Sequence, residues 1–99
     1  MIKHIVLFKL KDEISIEKKL AVMNKFKGAI EALPATIPVI RMIEVGLNVN
    51  PAESWNIALS SEFDSLDDLK VYATHPDHVA AGAILAETKE SRACVDYEF

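Results

Sequence analysis

The decapeptide MIKHIVLFKL, residues 1–10, sets Ile2, His4, Val6, Phe8 and Leu10 on one side of an extended chain and Lys3, Ile5, Leu7 and Lys9 on the other. Successive side chains of a strand point to opposite faces, and β-branched and aromatic residues suit a pleated surface, so the segment predicts a strand. Both of its sides are apolar at their centre. Such a strand belongs in a sheet with helices over one face and a second cover over the other.

The periodicity changes after Ser15. Leu20, Met23, Phe26, Ile30 and Leu33 recur at helical spacing, with Ser15 as N-cap and Glu17 in the first turn, and Pro34 and Pro38 end the run. Residues 39–49, VIRMIEVGLNV, alternate again and predict a second strand, closed by a turn over residues 48–54. Residues 55–63, WNIALSSEF, set Trp55, Ile57, Leu59 and Phe63 on one face of a third strand. A short helix follows, with Ser65 as N-cap and Asp67 and Asp68 in its first turn. His75 precedes Pro76 and is disfavoured in helix, so this helix breaks there. Pro76 then opens another helix, expected to reach about Ser91. The stretch RACVDYEF, residues 92–99, alternates as a closing strand.

The order β-α-β-β-α-α-β is that of an α+β, ferredoxin-like subunit with its second helix divided, in one domain over residues 1–99. One sheet face lies under the helices. The other needs a partner, because its Ile5 and Leu7, with the second side of strand 2, would otherwise meet water. Burial gains about 25 cal/mol per Å² of apolar area, so a few hundred Å² per subunit favours a homodimer. The second faces of strands 3 and 4 are read as smaller and more polar, which predicts a mixed contact.

Eleven basic residues against fifteen acidic ones give a net charge of −4, and the lysines are interleaved with glutamates, so no nucleic-acid partner is expected. The N-terminal apolar run is too short to span a membrane. A single cysteine, Cys94, excludes an internal disulfide and fits a cytoplasmic location. Cys94 shares its strand face with Asp96 and Glu98, which do not favour a thiolate. Glu44 and Arg41 suit an edge strand that resists fibrous pairing. No phosphate-binding glycine loop, nucleophile elbow or dinucleotide fingerprint occurs, and no cofactor is expected.

Histidines and a tyrosine carry what chemistry the chain offers. His78 falls in the first turn of the last helix, where the dipole disfavours imidazolium and keeps a neutral, proton-accepting ring; it also suits a plain structural role at the helix start. Tyr72 suits hydrogen-bond donation to a developing enolate oxygen, or a core ring with a wet hydroxyl. His4 shares a face with Val6 and Phe8 and points to the helix side. His75, Asp77 and His78 include metal-ligand types, but three side chains around a proline turn need not converge, and no metal site is expected from them.

The segments IKHIVLFKLKDEIS and VYATHPDHVAAG, with the element order, resemble the stress-responsive A/B barrel (Dabb) family along essentially the whole chain. The resemblance implies a dimeric α+β barrel. It also implies, through the plant polyketide cyclases of that family, that His4, Tyr72 and His78 are pocket residues; Ile57 stands where those cyclases carry a further histidine. The expected function is acid/base chemistry without a cofactor on a carbonyl compound, cyclase- or isomerase-like. His78 is the expected base, Tyr72 the donor and His4 an orienting group, in a small apolar pocket lined by Val6, Phe8, Trp55, Ile57 and Leu59. The rival expectation is a non-catalytic small-molecule-binding or stress-associated protein. A cofactor-free monooxygenase is a third possibility that no residue selects.

Overall fold

The computed structural model describes residues 1–99 in full. β1 (Ile2–Leu10), α1 (Ile16–Glu31), a 3-10 turn (Leu33–Ala35), β2 (Met42–Leu47), β3 (Ile57–Phe63), α2 (Leu66–Thr74), α3 (Pro76–Ala83) and β4 (Lys89–Glu98) follow one another. The four strands form one antiparallel sheet in the order β2-β3-β1-β4, which is the ferredoxin-like arrangement. β1 is central, and β2 and β4 are the edges.

Alternation along β1 sets the layering. Ile2, His4, Val6, Phe8 and Leu10 are all buried under the helices. Their partners on β3, which include Phe63, Ser61, Leu59 and Ile57, are buried with them. α1 closes this face with Met23, Phe26 and Ile30, and α2 adds Leu69 and Tyr72. Both helices begin as the sequence predicts: Ser15 accepts from the Lys18 N–H at 3.2 Å and Ser65 from the Asp68 N–H at 3.1 Å.

Four expectations are corrected. β2 is shorter than residues 39–49, because Pro38 lacks an N–H and a turn closed by Ile40 N–H on the Ile37 carbonyl occupies the preceding residues. β3 begins at Ile57 rather than Trp55; the Asn56 side chain instead accepts from the Leu10 N–H at 2.8 Å. The last helix ends at Ala83, and successive turns carry the chain to Lys89. Residues 89–91 are taken into the ladder by the full length of β1, with Leu10 opposite Lys89, Lys9 opposite Ser91, and Glu90 as the extra residue of a bulge.

The fourth correction concerns polarity. Arg92, Cys94 and Asp96 pair with Phe8, Val6 and His4, so the polar side of β4 lies on the helix side of the sheet. Ala93, Val95 and Tyr97 lie with Leu7, Ile5 and Lys3 on the opposite face. The second face of β4 is therefore apolar, not polar, with Val95 56% and Tyr97 46% exposed. That of β3, carrying Ala58, Ser60 and Glu62, is small and polar as expected.

Candidate functional site

β1, α2 and α3 converge on a cavity of about 250 Å³ between sheet and helices, lined by His4, Tyr72 and His78. Helix breakage at Pro76 is what makes this possible. His75 leaves helical conformation at φ −64°, ψ 135°, and its Nδ1 accepts the Asp77 N–H at 3.0 Å, capping α3. The chain thereby turns so that the last turn of α2 and the first turn of α3 face the same space. The Tyr72 and His78 rings lie 4.3 Å apart between centroids, and the His4 ring meets Tyr72 edge-on at 6.3 Å.

Tyr72 is almost wholly buried, and its hydroxyl has no hydrogen-bond partner within the chain. A buried polar atom left unpaired is costly, and native proteins keep few of them. Burial pushes the phenol's pKa well up, against the opposing charge of Arg92, so Tyr72 is a donor and not a phenolate.

His78 Nδ1 donates to the Ala73 carbonyl at 3.0 Å. A carbonyl only accepts, so Nδ1 holds the proton and Nε2 of the neutral ring presents a lone pair. Burial lowers the pKa of the imidazole below its ordinary 6.5; the Ala73 hydrogen bond opposes this, and the charges of His4 and Arg92 add to it.

His4 Nδ1 is hydrogen-bonded to the Asp96 carboxylate, which stands directly opposite on β4. Carboxylate and imidazole fix one another's orientation on the wall of the cavity. Exposed Lys89 and Arg92 complete the lining from β4, and no carboxylate of the chain pairs with either. With no ion bound, the Cys94 thiol has its pKa raised by partial burial and then by Asp96.

Of the apolar residues expected at the pocket, Val6, Phe8 and Leu59 line it. Trp55 and Ile57 do not. They line a separate depression at the start of β3, with Leu47 and Val49, because Ile57 lies one rung beyond Leu59 and its neighbour Phe8, edge-on to Phe26, walls off that end. His75, Asp77 and His78 do not converge: His75 and Asp77 approach only to 4.0 Å, and His78 is turned to Ala73.

Asp96, Arg92 and Lys89 escaped sequence reasoning, since placing them needed the β1–β4 register. The available signal was the alternation of residues 92–99, whose apolar set could face either way. No helix of the chain is long and apolar enough to cross a membrane.

Fold and cavity together define a ferredoxin-like α+β protein with a cavity between sheet and helices framed by two histidines and a tyrosine. Residues 2–99 match the stress responsive A/B barrel domain, and the chain belongs to that Dabb family. It is 34% identical to an uncharacterised protein of Streptomyces coelicolor over the whole of both chains. Olivetolic acid cyclase of Cannabis sativa is 26% identical over 97% of this chain and 94% of its own. A dimeric ferredoxin-like protein from Bacteroides fragilis NCTC 9343 is 78% identical, with a TM-score of 0.98 over 99% of this chain and 95% of that one.

Proposed function

We propose that the chain forms a homodimer and that each subunit's cavity carries out acid/base chemistry without a cofactor on a carbonyl compound bearing an anionic group. The carrying observation is the buried Tyr72 hydroxyl, unpaired within the chain, beside a His78 ring whose free nitrogen is the proton-accepting one. A carbonyl oxygen bound by Tyr72 gains a donor that strengthens as negative charge develops on it. His78 Nε2 removes the proton from the adjacent carbon, and the resulting enolate attacks a second carbonyl or is reprotonated elsewhere. His4, held by Asp96, orients the substrate. Lys89 and Arg92 supply positive charge for a carboxylate. Kinship with olivetolic acid cyclase supports this reading.

The second face of the sheet supports the dimer. Ile5 and Leu7 together with Ala93, Val95 and Tyr97 form an apolar band, and the Bacteroides fragilis neighbour is dimeric.

The test is proton exchange in deuterium oxide with a panel of short α- and β-keto acids. Wild-type protein is expected to speed entry of deuterium next to the carbonyl; His78→Ala abolishes this and Arg92→Ala raises KM. Tight binding of a keto acid with no exchange above the spontaneous rate would instead establish a passive binding protein.

A further inference from the structure

His4 has a second set of neighbours on its Nδ1 side. Cys94 Sγ lies 3.5 Å from His4 Nδ1 and 3.8 Å from Asp96 Oδ1, and the three ligand atoms sit within 4.8 Å of one another. They come from adjoining rungs of β1 and β4 on one face of the sheet, so the backbone ladder holds them and no loop has to move.

Around tetrahedral zinc, bonds of about 2.3 Å to sulfur and about 2.0–2.2 Å to nitrogen and oxygen give sulfur–nitrogen and sulfur–oxygen edges of about 3.6 Å. Two edges of the triangle already have that length. The third, between His4 and Asp96, is closed by a hydrogen bond and opens when an ion takes the proton's place. One imidazole, one carboxylate and one thiolate, formed as the ion displaces the Cys94 proton to solvent, suit zinc, whereas magnesium and calcium take oxygen ligands.

We propose that His4, Cys94 and Asp96 form a zinc-binding site with one position left for water. Its occupancy alters His4. While Nδ1–H is donated to Asp96, Nε2 of the neutral ring is an acceptor; once Nδ1 binds the ion, the ring proton moves to Nε2, which becomes a donor. Zinc thus tunes the cavity wall and reacts with nothing. Binding at these rungs does not depend on turnover in the cavity.

Cobalt(II) is the probe, titrated into the metal-free full-length protein and followed by absorption. One ion per chain is expected, with a thiolate-to-cobalt charge-transfer band, visible bands of tetrahedral intensity, and displacement by zinc. Cys94→Ser removes the charge-transfer band. Asp96→Asn, at a partly exposed residue, weakens binding by roughly tenfold or more. His75→Gln, which removes the other histidine near a carboxylate, leaves binding unchanged. His4→Gln is read only if its circular dichroism matches wild type, and then also loses the tetrahedral bands. Absence of a thiolate band, half an ion per chain, or full affinity in Asp96→Asn would each overturn the site.

Discussion

Tyr72 and His78 face one another at 4.3 Å between ring centroids although they belong to different helices, because the chain between them leaves helical conformation at His75 and re-enters it at Pro76. A continuous helix would fix their spacing by its own pitch. The break lets α2 bring the phenol from one side while α3 brings the imidazole from the other.

The pH dependence of exchange follows from His78. Its folded pKa lies below 6.5, so the ring stays neutral and basic at pH values where a free histidine is already protonated. The acid limb of kcat/KM is therefore expected below pH 6.5, and His78→Gln lowers the rate about 10²- to 10⁴-fold with loss of that limb. The same lowering affects stability: its contribution is present above 6.5 and is lost as pH falls from there through the folded value, since the unfolded chain takes up the proton first. An acid limb above 6.5 would remove His78 from the role of base.

Tyr72→Phe separates function from stability. The variant keeps the ring that packs on Phe63, at 5.0 Å between centroids, and deletes a buried hydroxyl unpaired within the chain. Ligand-free protein is expected to gain about 1 kcal/mol, because the atom removed was desolvated without compensation. Exchange is expected to fall about a hundredfold, the scale of losing one donor to a developing oxyanion. Thermal unfolding and exchange assays on the same preparation measure both. A variant both less stable and equally active would show that the hydroxyl serves the fold.

The sequence disclosed the order of elements, the buried face of β1 and the trio His4, Tyr72 and His78, all of which follow from periodicity, proline and caps or from family resemblance. Periodicity does not say which of two opposite faces a strand turns inward. In residues 92–99 the inward face is the polar one, against the usual expectation, and only pairing with β1 decides it. Asp96, Arg92 and Lys89 were hidden for that reason. Trp55 and Ile57 went to a different depression because shared alternation with Leu59 says nothing of how far along the strand a cavity extends.

The outer edge of β2 is clipped by α1, and this predicts an acid-sensitive contact. Lys27 Nζ donates to the Val45 carbonyl at 2.6 Å, the Glu31 carboxylate accepts the Val45 N–H at 3.0 Å, and Lys27 and Glu31 bond each other at 2.8 Å. Both edge groups of Val45 are satisfied, as an unpaired strand edge requires. The hydrogen bond from Lys27, then that from Val45, hold the Glu31 pKa below its ordinary 4.5. Its contribution is present above 4.5 and is lost as pH falls through the folded value. Glu31→Gln is expected to cost about 1 kcal/mol near neutral pH, with the charge itself discounted because the side chain is a third exposed. The cost should shrink as the wild-type carboxylate is protonated. Urea unfolding of both proteins at neutral and acid pH measures it, and an equal cost at both would assign the effect to packing.

The apolar face of β4 predicts how the dimer fails. Val95 stands opposite Ile5 on the sheet face away from the helices, beside Leu7 and Ala93. Because these residues are not in the helix-side core, Val95→Asp leaves subunit folding intact while placing a carboxylate at the centre of the proposed contact. Transfer of an unpaired charge into such a contact costs several kcal/mol, comparable with what a few hundred Å² of apolar burial supplies. Sedimentation equilibrium should show wild type as a dimer and Val95→Asp as a folded monomer with unchanged far-ultraviolet circular dichroism. Lys25→Glu, at an exposed residue of α1 on the other side of the sheet, serves as a charge-changing control and is expected to leave folding and dimerisation unaltered. A Val95→Asp protein that remains dimeric would mean that the subunits meet through another surface, and the exposed band would then need a different cover.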